Sequence, residues 1–305
     1  MNGVLNIYKE AGYTSHDVVA KLRGLVKQKK IGHTGTLDPD AEGVLPVCLG
    51  NATKLCGMLT EKEKTYEAIL LLGQETDTQD TSGRVLSSAP VTVSEEAVRE
   101  AVLSFLGSYE QIPPMYSALK VNGKKLYELA REGKEVERKA RKVQIHEISI
   151  QWIRLPEVCF TVTCSSGTYI RTLCYDIGRL LGCGGCMKRL LRTRVSQFEL
   201  KDSLRLSQVE AAVKEGSLAE YLIPVERVLE AYPAVIMKAK ADRLLYNGNP
   251  FSRSDTEREG EKPEESGRFR VYDSQERFQG IYRYEAGLYR PVKMFLGEGK
   301  TNKGS

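Results

Sequence analysis

The chain has 305 residues, of which 41% are hydrophobic and 28% charged, and it carries a net charge of +5. This composition is typical of a globular protein with a sizeable core, and the length allows two domains. No apolar stretch approaches the length of a membrane span, and the first ten residues lack the pattern of a signal peptide. Seven cysteines, an odd number, favour reduced thiols. We therefore expect a cytoplasmic protein without a membrane segment.

In the first half of the chain, short apolar runs alternate with amphipathic ones. Thr14 or Ser15 predicts the N-cap of one helix, and Ser94 predicts that of another. Residues 74–83 are rich in Asp, Thr and Gly and predict a loop. The predicted strands are residues 3–8, 44–49 and 65–72, and the predicted helices are 18–27, 52–59 and 94–105.

In the second half of the chain, the pattern of predicted elements changes near residue 232. Up to that point, long strand-like runs alternate with helical ones; beyond it, short strand-like runs alternate with Gly, Asp and Ser turns, as in a small β-barrel. The predicted strands before the change are 143–152 and 158–164, and the predicted helices are 169–181, 206–214 and 218–229. The strand-like runs after it are 235–237, 269–272, 278–284 and 288–294.

Basic side chains are concentrated in three runs. Residues 21–30 carry five Lys or Arg and no acid, residues 120–142 carry nine against four Glu, and residues 188–194 carry four. One interpretation is three solvated helix faces without a ligand, and the other is a basic face for a polyanion. The presence of three such runs in one chain favours the polyanion.

The most informative segment is residues 32–50, where small turn residues surround three acids, Asp38, Asp40 and Glu42, before an apolar run. Glycines lose the most conformational freedom on folding, and Pro39 restricts the backbone beside Asp38. Such a turn fits a place where a side chain must be aimed. Asp38 is therefore either an ordinary turn former or an aimed carboxylate.

Two other patterns suggest metal sites but lack the required spacing. The acids from Asp38 onward resemble the start of a calcium loop, but its twelfth position is Leu49 and two prolines interrupt it. Cys183 and Cys186 form a C-x-x-C without a second ligand pair, and the chain has only three histidines. We expect reduced thiols in a tight turn and no metal site.

Two further segments can supply partners for the Asp38 carboxylate. Lys64-Thr65-Tyr66 begins a predicted strand and can place an aromatic ring at the edge of a cleft. Residues 167–171, Gly-Thr-Tyr-Ile-Arg, lie between a strand and a helix, from where Arg171 can reach a carboxylate in a bidentate pair. An aspartate, an arginine and two tyrosines beside basic surfaces suit the recognition of a nucleotide base.

The whole chain resembles the TruB family of bacterial tRNA pseudouridine synthases in three motifs of matching order and spacing: Gly-His-Thr-Gly-Thr-Leu-Asp-Pro-x-Ala-x-Gly-Val-Leu-Pro, Lys-Thr-Tyr and Gly-Thr-Tyr-Ile-Arg. The resemblance implies an α+β fold with a mixed, mostly antiparallel sheet flanked by helices, followed by a small C-terminal β-barrel of the PUA type. It implies a catalytic domain at residues 1–231, with a mobile basic RNA-binding flap at about 120–142, and an RNA-binding domain at 232–305.

The resemblance also implies the activity, which is isomerisation of uridine 55 to pseudouridine in the T loop of tRNA. A base inside a stacked loop must first be flipped out, and the basic runs would hold the phosphates. The enzyme is expected to act as a monomer, without a protein partner or a cofactor. Two other functions stay open: a non-catalytic tRNA-binding and folding protein, and a relative that modifies ribosomal RNA under a guide RNA with protein partners.

Carried over residue by residue, the resemblance makes Asp38 the catalytic aspartate, which adds to the base, attacks the ribose or removes a ribose proton. Tyr66 would stack on the flipped uracil and could move a proton, and Tyr169 would line the same pocket. Arg171 would pair with Asp38 and keep it ionised, since a nearby cation lowers a carboxylate pKa. His33 would contact displaced T-loop nucleotides.

Two implied substrate-binding residues lie where the chain departs from the family pattern. Lys9 occupies the lysine position of a Lys-Pro-x-Gly-x-Thr-Ser segment, but Glu10 replaces the proline, which predicts a less rigid turn. Leu190 begins a segment that is often Leu-Arg-Arg, and here Leu191 precedes Arg192. The loss of one arginine predicts a weaker phosphate contact without an effect on chemistry.

Overall fold

The structure is a computed structural model that describes residues 1–121, 123–257 and 263–295. The domain predicted at 232–305 therefore extends in part outside the described residues. Among the described residues, no helix is both long enough and apolar enough to cross a membrane. All seven cysteines have free thiols, including the pair in the C-x-x-C.

Within the described residues, nine strands form one large mixed sheet. Its main path runs β1, β3, β12, β4, β11, β10, β7, with β2 paired to β3 and β13 paired to β12. Every pair is antiparallel except β3 with β12, which confirms the predicted sheet type. The strands are β1 (Gly3–Lys9), β2 (Ile31–His33), β3 (Glu42–Leu49), β4 (Lys64–Leu72), β7 (Gly107–Gln111), β10 (Arg141–Arg154), β11 (Glu157–Cys164), β12 (Gly185–Val195) and β13 (Phe198–Glu199).

Two short hairpins lie outside this sheet, one beginning in the predicted loop and one within the predicted flap. Part of the loop predicted at residues 74–83 is a strand, and the predicted flap contains a hairpin followed by a helix. The hairpins pair β5 (Gln74–Thr76) with β6 (Val85–Ser88), and β8 (Lys120–Val121) with β9 (Lys124–Lys125).

The helices begin where the capping signals predict them. Of the two candidate caps, Thr14 is the N-cap, because its hydroxyl accepts from the Asp17 amide at 3.1 Å while the Asp17 carboxylate accepts from the Thr14 amide at 2.8 Å. Ser94 caps the third helix in the predicted way. The α-helices are α1 (Ser15–Val26), α2 (Cys56–Thr60), α3 (Glu95–Leu103), α4 (Leu126–Arg131), α5 (Ile170–Leu180), α6 (Leu206–Glu215), α7 (Val225–Val228) and α8 (Asp242–Tyr246).

Short 3-10 helices account for two further differences from the predicted elements. The helix predicted at 218–229 is broken into a 3-10 turn and α7, because Pro224 cannot continue a helix from the residues before it. The helix predicted at 52–59 begins as a 3-10 helix and continues as α2. The 3-10 helices are Gly50–Leu55, Leu200–Asp202, Leu218–Tyr221, Ala239–Ala241 and Arg253–Asp255.

Strand β12 was not predicted, although it lies in the centre of the sheet. Its register shifts twice, between Met187 and Arg189 and between Arg192 and Arg194. These irregularities break the alternation of polar and apolar residues from which a strand is normally recognised. The basic run at 188–194 is therefore a central strand, and the solvated-helix interpretation of it is wrong.

Two apolar clusters meet at the segment that contains Asp38. Helices α3 and α5 pack against β4, β10 and β11, and helices α1 and α6 pack against β1 and β3. Leu37 and Ala41 belong to the first cluster, whereas Ile31 belongs to the second. The turn between β2 and β3 is thus held from both sides by buried side chains.

The C-terminal part is a curled five-stranded sheet, counted within the described residues, and it forms a half-barrel that resembles the PUA type. Its order is β14, β16, β17, β18, β15, and only the β14–β16 pair is parallel. Ile281 and Phe295 pack in one cluster with residues of β1 and β3, which joins the two sheets. The strands are β14 (Ala234–Ile236), β15 (Phe251–Ser252), β16 (Arg268–Tyr272), β17 (Phe278–Glu285) and β18 (Leu288–Met294).

Candidate active site

The turn that carries Asp38 is fixed by a buried lysine. The Lys9 side chain has no exposed surface, and its ammonium group donates to the carbonyls of Glu10 at 3.0 Å, Pro39 at 2.9 Å and Ala41 at 2.6 Å. An ammonium group has three protons, so all of them are used within the protein. In the structure Lys9 therefore holds the backbone on both sides of Asp40, and its substrate contact stays a prediction.

A second buried cation, Arg192, supports the same turn from β12. Its Nε donates to the Val44 carbonyl at 2.7 Å and its Nη2 donates to the Gly35 carbonyl at 3.3 Å, with 1% of the residue exposed. Gly43 has φ +107°, and a Cβ there would lie 2.2 Å from the Arg192 carbonyl oxygen, so only glycine fits this close approach. Arg192 is thus too buried to contact a phosphate, which corrects that part of the predicted basic surface.

Arg171 lies at the start of α5 and forms a bidentate pair with Asp38. Its Nε is 3.0 Å from Asp38 Oδ2, and its Nη2 is 3.3 Å from Oδ1. The same guanidinium donates to the carbonyls of Thr78 at 3.0 Å and Tyr116 at 2.8 Å. Because four acceptors surround one planar group, the position of Arg171 is closely determined and it aims the Asp38 carboxylate.

Asp80 is a further carboxylate of this site that sequence reasoning missed. Its Oδ2 lies 3.7 Å from Arg171 Nη1, and its Oδ1 accepts from the Thr78 hydroxyl at 2.7 Å. It lies in the segment that reads only as an Asp-, Thr- and Gly-rich loop, so no local pattern distinguished it from a turn former. Arg171 therefore bridges two carboxylates, Asp38 and Asp80.

The pKa of Asp38 is raised overall, although Arg171 lowers it as expected. Burial raises the pKa of Asp38 above its usual value, and the lowering effect of Arg171 does not offset it; the negative charge of Asp80 raises the pKa further. The Asp38 side chain keeps 41% of its surface exposed, and both of its carboxylate oxygens contact Arg171. Arg171 therefore lowers the Asp38 pKa as predicted, but the net shift of the pKa is upward because burial has the larger effect.

We expect a reaction that needs ionised Asp38 to slow as the pH falls, and to do so at a higher pH than it would with an aspartate of ordinary pKa. A raised pKa means that the carboxylate is protonated, and inactive, over a wider acid range. Single-turnover rates measured with saturating protein between about pH 4.5 and 8 should show an acid limb with its midpoint above 3.8, the ordinary value. Replacement of Arg171 by Gln should raise this midpoint further. A midpoint that is the same in the variant and the wild type would contradict the assignment of the acid limb to Asp38.

Tyr66 lies on β4 beside Arg192 and is 7% exposed. Burial raises the pKa of its hydroxyl to about 12, although the neighbouring Arg192 guanidinium lowers it in part. The phenol therefore keeps its proton at neutral pH and can donate a hydrogen bond, but it is a poor general base.

The other predicted site residues are distributed around the turn. Tyr169 is half-buried immediately before α5, two residues from Arg171. His33 ends β2 and packs edge-on against His16, with ring centroids 5.4 Å apart. Leu190 is 7% exposed and belongs to the apolar cluster that includes Tyr66. The structure thus places both Asp38 and Asp80 against Arg171. The substrate contacts of Tyr169, His33 and Leu190 stay predictions.

The replacement of the family's proline by Glu10 is compensated by contacts around it. The Gly12 amide donates to the Pro39 carbonyl at 3.0 Å, and the Glu10 carboxylate pairs with Arg205 at 2.8 Å. The Arg205 guanidinium also lies 4.5 Å from the centroid of the Tyr8 ring. These contacts connect the Lys9 segment to the start of α6, so the segment is held by side chains as well as by its backbone.

We expect Lys9→Met to loosen the turn. The replacement keeps the length of the side chain but removes the donor to the buried Ala41 carbonyl and to the partly buried Glu10 carbonyl, which should lower the free energy of unfolding by about 2 kcal/mol. Turnover should fall by roughly tenfold, because Asp38 depends on this turn for its direction. Urea unfolding and single-turnover rates measure the two effects. Lys214→Met, at an exposed lysine of α6, is the control, and equal behaviour of the two variants would contradict the role of Lys9.

Two of the three basic runs are largely exposed. All five basic residues of 21–30 lie on the surface at the end of α1 and just beyond it. In 120–142, Glu132 pairs with Lys124 and Lys134, and Glu135 pairs with Arg138. Within the described part of the chain, no ion pair involves Lys120, Lys139, Arg141 or Lys142, so these side chains can meet phosphates.

The mixed sheet and the curled C-terminal sheet together define the pseudouridine synthase fold with a PUA-like domain. A family model described as TruB family pseudouridylate synthase (N terminal domain) matches residues 23–170, and one described as tRNA pseudouridylate synthase B C-terminal domain matches 171–230. The chain belongs to the TruB family of pseudouridylate synthases.

Curated relatives match the chain over nearly its whole length. A tRNA pseudouridine synthase B of Lachnoclostridium phytofermentans is 54% identical and covers 97% of this chain and 100% of its own. The enzymes of the same name from Clostridium kluyveri and Burkholderia mallei are 45% and 42% identical and also cover 97% of this chain, which spans 100% and 97% of their lengths.

Solved structures share the fold at low sequence identity. The structure of a Cbf5-Nop10-Gar1 complex contains a chain with a TM-score of 0.76 and 24% identity, covering 98% of this chain and 86% of that one. An H/ACA RNP bound to a substrate RNA containing 2'-deoxyuridine gives a TM-score of 0.75 and 23% identity, with 97% and 86% covered.

Proposed function

We propose that this protein isomerises uridine to pseudouridine at position 55 in the T loop of tRNA, with Asp38 as the catalytic residue. The observation that carries the proposal is the bidentate contact of Asp38 with Arg171 beside a buried tyrosine, in a chain that belongs to the TruB family. The names of the curated relatives support tRNA as the substrate.

The reaction requires the target uridine to leave the stacked loop, because a base inside the stack cannot be turned or reached by Asp38. Flipping a base out costs about a few kcal/mol, which contacts to the phosphate backbone can offset. The exposed basic residues of 21–30 and 120–142 suit this role, and segment 120–142 is proposed to act as the RNA-binding flap. His33, Tyr169 and Leu190 are proposed to contact the displaced nucleotides and the uracil.

In the proposed chemistry, the C5 atom of uracil replaces N1 as the atom bonded to ribose. Ionised Asp38 starts the reaction by adding to the base, attacking the ribose or removing a ribose proton. Arg171 directs the carboxylate, and Tyr66, whose pKa is raised to about 12, stacks on the uracil and donates a hydrogen bond. This scheme uses only side chains of the protein.

The two sheets suggest two domains with different functions. Residues 1–231 are proposed to form the catalytic domain, and the PUA-like part within 232–305 a second RNA-binding domain. The protein is proposed to act as a monomer on the tRNA T stem-loop, without a protein partner. The seven free thiols fit the reducing cytoplasm.

Tritium release from tRNA transcribed with 5-tritiated uridine tests the proposal directly, because isomerisation frees the hydrogen at C5 of one uridine. We expect one tritium per tRNA from the natural sequence, and none from a matched transcript with cytidine at position 55. Tight binding of tRNA without tritium release would contradict the enzyme and support the binding and folding protein.

A further inference from the structure

A buried glutamine at the end of edge strand β7 holds the backbone next to the candidate active site. Gln111 is 1% exposed. Its Oε1 accepts from the Tyr169 amide at 2.7 Å, and its Nε2 donates to the Tyr169 carbonyl at 3.0 Å. Since a backbone N–H only donates and a carbonyl only accepts, these two contacts fix the orientation of the glutamine amide.

Gln111 provides hydrogen bonds that the residues next to Tyr169 in the chain do not provide. Tyr169 is the N-cap residue of α5, with φ −99° and ψ 110°, and no side chain caps this helix. The preceding turn contains Gly167 at φ +83°. Gln111 therefore binds the extended backbone of Tyr169 as a neighbouring strand would, just before the helix begins.

Gln111 is also connected to a later turn of α5, through the Tyr109 hydroxyl. The Gln111 amide also donates to the Tyr109 hydroxyl, which in turn donates to Asp176 Oδ2 at 3.5 Å. Tyr169 and Asp176 lie seven residues apart, so strand β7 holds both the start of α5 and a point two turns further on. Arg171 lies between these two points.

We propose that Gln111 is a positioning residue for the reaction, which sets the start of α5 so that Arg171 meets Asp38 in its bidentate geometry. The proposal rests on the proposed function. A bidentate ion pair depends on the position of its guanidinium to within about 0.5 Å, and a small displacement of a catalytic group can cost about 100-fold in rate. Gln111 touches neither Asp38 nor Arg171, so its effect passes through the backbone of Tyr169.

The first test is Gln111→Met, which keeps the volume of the side chain and removes both contacts to Tyr169. We expect kcat for tritium release to fall by about 30-fold, with KM for tRNA changed by less than about threefold. Gln151→Met, at an exposed glutamine of β10, is the control and should keep the wild-type kcat. A wild-type kcat in Gln111→Met, or a loss confined to KM, overturns the proposal.

The second test is Gln111→Glu, because a protonated glutamic acid keeps one donor for the Tyr169 carbonyl and one acceptor for the Tyr169 amide, and loses only the donor to the Tyr109 hydroxyl. We expect the ratio of its kcat to that of the wild type to approach one near pH 5.5 and to fall about tenfold by pH 8.5, as the carboxyl ionises and loses its donor. Asp176, Tyr109, Arg141 and Arg171 are the ionisable groups around this position, and both proteins carry them. A ratio that does not change with pH overturns the proposal.

Amide hydrogen exchange provides a measurement that does not depend on activity. Gln111→Met should speed exchange at the start of α5 by at least about tenfold and leave α1 and α6 unchanged. Faster exchange throughout the chain, or no change at α5, overturns the positioning role. If the wild type itself releases no tritium, the proposed function fails, and the exchange result alone decides whether Gln111 holds α5.

Discussion

Asp38→Asn should abolish tritium release while the protein still binds tRNA. The amide keeps the size of the carboxylate but cannot act as a nucleophile or a base, so we expect kcat to fall by about 10³-fold or more. The Kd for tRNA should change by less than about threefold, because the phosphate contacts lie on the basic segments rather than on Asp38.

Asp40 provides a matched control for this variant. It lies two residues away in the same turn and is exposed, so Asp40→Asn should keep the wild-type rate. Rates from single-turnover assays and Kd values from filter binding measure the two properties separately. Appreciable turnover by Asp38→Asn would exclude all three proposed roles of the aspartate at once.

Arg171→Met should produce the second largest loss. The replacement removes the partner of Asp38 and the donor to the partly buried carbonyls of Thr78 and Tyr116. We expect kcat to fall by about 100-fold or more, because Asp38 loses the group that directs it. The free energy of unfolding should fall by about 2 kcal/mol, because the two carbonyls lose their donor.

Arg171→Lys separates charge from geometry at this position. A lysine keeps the positive charge but cannot form the planar, two-point contact, so an intermediate loss is expected. Arg179→Met, at an exposed arginine of the same helix, is the control for α5. A kcat of Arg171→Met within threefold of the wild type would show that the ion pair does not direct Asp38.

The Asp38–Arg171 pair and the buried cations distinguish this site from an ordinary turn. Lys9 and Arg192 are both buried, and in the described part of the chain neither forms an ion pair with a carboxylate. Their charges are compensated by backbone carbonyls of the turn, which makes the turn rigid around Asp38. The positive potential of these residues also suits a polyanionic substrate.

The sequence by itself determined the elements whose signals are local. Thr14 and Ser94 cap their helices in the predicted way, and the strands at 3–8, 65–72 and 158–164 are present because their apolar residues match a buried sheet. The three motifs also identified the family, and the resemblance to that family implied the contact between Arg171 and Asp38 that the structure contains.

The tertiary structure alone decided the properties that depend on burial and on distant partners. Strand β12 is irregular, so its place was set by pairing with β4 and β3 rather than by its own pattern. Lys9 and Arg192 look like surface cations in the sequence, yet carbonyls from other segments enclose them. The pKa of Asp38 is raised because desolvation outweighs one adjacent cation, and desolvation is a property of the folded chain that no local pattern contains.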